Sequence, residues 1–113
     1  MKRDQVLNEA KKIINGKREQ DYGSAFRNHK RIADGWTIIL RECYGLKGNI
    51  EPSHVALMMD WIKTCRLMNG IDHEDSWVDK AGYTALGAEF VHKTKSLGTS
   101  NGKTTNEHVR TKK

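Results

Sequence analysis

The chain has 113 residues, 36% of them hydrophobic and 30% charged, with a formal net charge of +6. That length holds one small domain with a modest core, which self-association would help to stabilise. The sequence has neither the apolar run of about 18 residues that a membrane span needs nor, at its start, the basic-then-apolar order of a secretory signal, so a cytoplasmic protein without a membrane partner is expected.

The charge is unevenly spread. Six basic residues and one acid lie from Lys93 onward, leaving fourteen basic and thirteen acidic residues before it. Residues 1–92 therefore read as a nearly neutral helical domain and residues 93–113 as a flexible basic tail. Rich in Ser, Thr, Asn, Gly and Lys, the tail cannot offset the entropy of ordering. Such a tail can hold phosphate backbones weakly, which makes a nucleic-acid or host-protein binder acting through it one functional class to weigh.

In chain order, Asp4 is positioned to cap a first helix running to about Asn15, with Val6, Leu7, Ala10, Ile13 and Ile14 on one stripe and Gly16 as its stop. REQDYGS follows as a turn, in which Ser24 is the predicted N-cap of a second helix from about Ala25 to Tyr44. Phe26, Ile32, Ala33, Trp36, Ile39, Leu40 and Cys43 recur there at spacings of three and four and are expected inward. After the glycine-rich YGLKGN, Pro52 and Ser53 open a third helix to about Met68, closed by Asn69-Gly70. Val55, Met58, Met59, Ile62 and Cys65 form its expected core face. A fourth helix is predicted from Ser76 through Val78, Ala81, Ala85, Leu86 and Phe90. No alternating strand pattern competes, so the predicted fold is all-α, a compact bundle of about four helices. Cys43 and Cys65 form no CxxC pair and are expected as buried thiols in a reducing compartment.

The stretch HEDSWVDKAGYTALGAEF carries the densest chemistry. Ser76 and Asp79 have the spacing of a capping box, which by itself accounts for Asp79. Asp72, Glu74 and Asp75 crowd the same helix start, and Asp75 and Asp79 would stand one turn apart, a spacing that suits a hard divalent cation taking oxygen ligands. The helix macrodipole favours acids at that end without any metal. Gly82 costs about 1 kcal/mol relative to alanine within a helix, so it either admits a neighbouring helix or leaves room beside Tyr83 for a flat ligand. On the third helix Asp60, Lys63 and Arg66 are three apart, an exposed ion-pair ladder or a pair of cations for phosphate oxygens. Asn28 and His29 follow the DYG turn that contains Tyr22.

Taken together, DYGSAF…NHKRIADGW, VALMMDWIKTCRL and DSWVDKAGYTALGAE, in that order, resemble a small family of uncharacterised bacteriophage proteins. More distantly they resemble the phage nucleotide-modification-associated domain and the MazG-like all-α NTP pyrophosphatases. The likeness spans roughly residues 18–90. It implies helical dimers or tetramers, Mg²⁺ held by carboxylates, and cleavage of a nucleoside triphosphate to monophosphate and pyrophosphate. The MazG-like ExxD pattern falls on Ser76-x-x-Asp79, with serine for glutamate, and EExxE is missing, the corresponding helix reading FRNHKRIADGW.

On that resemblance Asp79 is the one metal ligand carried over, and Asp75, one turn away by the spacing above, is the expected second. Lys63, Arg66, His29 and Asn28 are expected around phosphate, and Tyr83 and Tyr22 beside a base or in packing. Two functions stay open besides the tail reading: a Mg²⁺-dependent pyrophosphohydrolase, and a nucleotide binder without turnover that sequesters host immune signals.

Overall fold

The computed structural model describes residues 1–16 and 24–96, and within them the predicted all-α fold is present as four helices. They are α1 (Arg3–Asn15), α2 (Ala25–Tyr44), α3 (Pro52–Asn69) and α4 (Glu74–Ser96). The Tyr22 expectation and the tail from residue 97 lie outside the described residues. α4 runs to Ser96, past the boundary expected at residue 92.

Most helix ends follow the local chemistry of the sequence. Ser24 Oγ accepts from the Arg27 N–H at 3.1 Å and opens α2. Gly45 closes it in the left-handed conformation (φ 67°), returning its N–H to the carbonyls of Arg41 and Leu40. Pro52 occupies the first turn of α3, where its missing N–H costs nothing. Two starts differ from expectation. Asp4 lies in the first turn of α1, which begins one residue earlier, with Gln5 Oε1 accepting from Lys2 N–H at 2.8 Å. α4 begins at Glu74, so Ser76 is not its cap: Ser76 is fully buried, with its Oγ 2.7 Å from His73 Nδ1.

The centre of the molecule is the antiparallel pair α3 and α4, joined by only four residues. Ala56 meets Gly87, Asp60 meets Lys80 and Lys63 meets Asp79, in opposite order along the two helices. Lys80 Nζ lies 2.8 Å from Asp60 Oδ1 and 2.6 Å from Thr64 Oγ1, and Lys63 Nζ lies 3.1 Å from Asp79 Oδ2. The expected exposed ladder is thus half wrong: Asp60 and Lys63 face α4 in a partly buried seam, while Arg66 stays exposed. Gly87 makes the seam narrow, since a Cβ there would stand 3.2 Å from Ala56 Cβ.

α1 lies along α4. Its ammonium end, Met1 N, pairs with Glu74 at 3.1 Å, and Ile14 Cγ2 fills the space where Gly82 would carry a Cβ. Close helix approach, one of the two expectations for Gly82, is realised. α2 reaches α4 through Phe26, edge-on to Phe90 at 5.6 Å, and is tied to the start of α3 by Thr37 Oγ1, which accepts from the Ile50 N–H at 2.8 Å.

The core is small: Ala10, Ala33, Val55, Ala56, Leu67, Val78 and Phe90. Several residues expected inward are exposed instead, among them Leu7, Ile13, Ile39, Met58, Ile62 and both cysteines, Cys43 and Cys65. For α3 the cause is the seam, because turning Asp60 and Lys63 toward α4 sends the opposite side outward.

Two stability outcomes follow. Asp60→Ala strands the half-buried Lys80 ammonium and should lower unfolding free energy by about 1–2 kcal/mol, with the double variant Asp60→Ala/Lys80→Met recovering part of it in urea titrations. Gly87→Val drives side-chain atoms into Ala56 and should cost about 1–3 kcal/mol, more than Ala88→Val on the exposed side of the same helix.

Candidate functional site

Because α1 and α2 both lean on α4 from different sides, a cleft of about 820 Å³ remains between them, floored by α4 and closed at one side by Met59 of α3. Ile13, Ile14 and Ile32 give it apolar walls, and its polar groups are Asn28, His29, Arg31, Asp79 and Tyr83. Size and mixed lining suit a small organic ligand.

Four of the residues singled out in the sequence, Asn28, His29, Asp79 and Tyr83, converge here from two helices. Asn28 and His29 are in the first turn and a half of α2, where the Ser24 cap sets the register. Tyr83 is one turn beyond Asp79 on α4, beside Gly82, whose lack of a side chain keeps the floor low. Lys63 reaches the rim only through Asp79, whose carboxylate it neutralises. Arg66 and Asp75 are exposed and do not line the cleft. Arg31 does line it: it stands one turn after Asn28 and donates through Nη1 to Asn28 Oδ1 at 3.3 Å. That i, i+3 spacing in NHKR was the available signal for it.

His29 is the most constrained of these groups. It is only 8% exposed, and its ring lies 4.9 Å from that of Phe90 and 6.1 Å from that of Tyr83. Nδ1 is 2.9 Å from the Ala25 carbonyl oxygen, a contact that requires the proton on Nδ1. Nε2 of the neutral ring is then a lone-pair acceptor, and it is buried without a hydrogen-bond partner. Desolvation pushes the imidazole pKa below its ordinary 6.5, against a smaller upward pull from the Ala25 carbonyl. An unsatisfied buried acceptor costs roughly 1–3 kcal/mol, which a ligand donor would relieve.

The residues do not fit a resident Mg²⁺ within one chain. Asp79 is matched by Lys63, Asp75 points into solvent rather than toward it, and among the described residues no three His, Cys, Asp or Glu side chains converge. A hard cation takes six or more oxygens, several of them charged. What the cleft offers instead is one acceptor, one amide, one guanidinium and an aromatic wall.

No helix among the described residues is long and apolar enough to cross a membrane. The chain is 43% identical over 81 residues to the Gene 55 protein of Mycobacterium phage L5, and 35% identical over 80 residues to the Gene 55 protein of Mycobacterium phage D29. These alignments cover 72% and 71% of this chain but 49% of each relative, so the chain spans about half the length of the curated relatives it matches. No solved structure is significantly similar to it. The family model described as "Domain of unknown function (DUF6378)" matches residues 5–91, which include all four helices' contributions to the cleft, and the chain belongs to that family.

Proposed function

We propose that this domain binds a nucleotide in the cleft between α1, α2 and α4, and that it retains the ligand without metal-dependent turnover. The observation that carries the reading is the buried, unpartnered Nε2 of His29 in the same cleft as Asn28, Arg31 and Tyr83. A ligand N–H or O–H, from a base or a ribose, would satisfy that acceptor once a side-chain shift in the cleft wall opens Nε2, which is closed to solvent in the free chain. Tyr83 supplies an aromatic wall for the base, and Arg31, steadied by Asn28, a guanidinium for phosphate oxygens. Lys63 is already engaged by Asp79, and Arg66 lies elsewhere, so neither is the phosphate group's first partner in this reading.

The hydrolytic alternative, a MazG-like pyrophosphohydrolase, requires carboxylates for Mg²⁺ that the cleft of one chain does not assemble. The phage origin of the relatives supports a role inside an infected cell, with host signalling nucleotides as a natural class of ligand.

The test is to incubate the protein with a mixed pool of nucleoside triphosphates and of cyclic and ADP-ribose-derived nucleotides plus Mg²⁺, filter, denature, and analyse both fractions by mass spectrometry. An intact nucleotide released only on denaturation supports the proposal. Monophosphate with pyrophosphate in the filtrate replaces it with the hydrolase, and an empty result in both fractions overturns it in favour of a macromolecular partner, the basic tail included.

His29→Phe keeps an aromatic ring against Phe90 while deleting the acceptor, and should weaken binding about tenfold with little change in helical circular dichroism. The pH dependence has a definite sign. The folded-state pKa of His29 is lowered, so on acidification the unfolded chain takes up its proton first, near 6.5, and stability falls from there through the lower folded value. Ligand affinity through Nε2 should be full at neutral pH and lost as that folded value is passed. Asp79, Arg31 and Tyr83 also line the cleft, so the part due to His29 is the part missing in His29→Phe.

A further inference from the structure

We propose that the outward face of α3 is a self-association surface, on which two copies of the chain pack α3 against α3 about a twofold axis. This goes beyond the cleft and does not depend on what the cleft binds.

Helix α3 is apolar on two sides. Ala56 and Leu67 face the molecule's interior, and Leu57, Met58, Trp61, Ile62, Cys65 and Met68 form a second, exposed stripe on another side. Their spacings of three and four residues along one face are those of helices that bury a seam against another helix. A stripe of this kind ordinarily packs against another element, yet in the single chain it faces solvent. Leu57 is 67% exposed, Trp61 60% and Met68 69%.

The area is that of an interface. With residue surfaces of roughly 200 Å² or more, the exposures of the stripe leave on the order of 700 Å² of apolar surface, close to the roughly 800 Å² that each partner gives to a standard interface and above the patches typical of monomers.

Residues 17–23 contribute one large apolar or aromatic side chain, Tyr22, and residues 97–113 contribute Leu97 and Val109 among polar and basic residues.

A second copy fits the chemistry. The stripe residues themselves carry no charge, and the exposed Arg66, one turn beyond Ile62, stands at the edge of the stripe rather than at its Leu57–Trp61–Met68 centre, so two copies of a chain with net charge +6 meet there without stacking like charges at the middle of the contact. A row of apolar knobs on one helix is complementary to itself under a twofold, with Trp61 and Ile62, near the middle of the stripe, meeting their counterparts.

Light scattering coupled to size exclusion, at tens of micromolar, tests this directly. The wild-type chain should have twice the mass of one chain or a higher even multiple. Trp61→Glu and, separately, Met68→Glu should lower that multiple while circular dichroism stays helical, because neither side chain contributes to the core. Alkylation of Cys65 should be slow in the wild type and fast in both variants, with exposed Cys43 as the internal reference. A wild-type mass of one chain overturns the proposal and leaves the stripe to a different protein; an oligomer whose mass neither substitution changes overturns it too. Should Trp61→Glu lose helicity, Met68→Glu decides.

Discussion

Two carboxylate–ammonium pairs hold α3 and α4 in register, and most of what is distinctive in this molecule follows from their lying inside that contact rather than on its rim. An exposed pair contributes a few tenths of a kcal/mol. Here each of the four groups keeps a third or less of its side-chain surface, and Lys80 donates a further hydrogen bond to the Thr64 hydroxyl oxygen. Partial burial makes such pairs expensive to break and sensitive to register, since a slip of one residue would leave ammonium and carboxylate groups facing apolar atoms. Ala56 and Gly87 let the helices come close enough for the pairs to form.

The same contact shapes the candidate site. Asp79 is the one acidic side chain among the described residues that line the cleft, and its partner Lys63 comes from the seam, so the two balance each other's charge at the cleft floor. In the proposed reading, recognition falls to directional groups. His29 offers a fixed lone pair because Ala25 fixes its tautomer, and Asn28 and Arg31 are coupled to each other on the next turn of the same helix. Such a site selects by where a ligand carries its hydrogen-bond donors more than by its total charge.

The positions of the helices were legible in the sequence because their signals are local. Ser24 and Gly45 bracket α2, Pro52 opens α3 and Gly70 closes it, each through the behaviour of a single residue's backbone or hydroxyl. The direction each helix faces was legible only where one side is polar. On α3 it was not: Ala56 and Leu67 lie on one side, Leu57 and Trp61 on another, and periodicity cannot choose between two apolar faces. The deciding groups, Asp60 and Lys63, read as surface residues because their partners, Lys80 and Asp79, lie about twenty residues away in the chain. The site was half legible for the same reason. Asn28, His29, Asp79 and Tyr83 were found from motif and resemblance, whereas the pairing that takes Lys63 away from phosphate is a tertiary fact.

The small core and the exposed stripe are two aspects of one arrangement. A chain of this length has little apolar material, and this one places its largest side chains, Trp61, Met58 and Met68 among them, away from its own interior while Ala10, Ala33 and Ala56 line it. Close packing of small residues positions the helices and creates the cleft, but it removes modest area from water. Under the self-association proposed above, the larger side chains would be covered by a second copy, and the stability of the domain would be tied to its assembly through mass action. His29 is placed in the inner, alanine-lined layer, and the stripe in the outer one, with α3 as the only helix that belongs to both. Any charge or bulk introduced on α3 is therefore felt on the side it faces: at Asp60 and Lys63 by the register that holds the cleft, at Trp61 and Met68 by the proposed association.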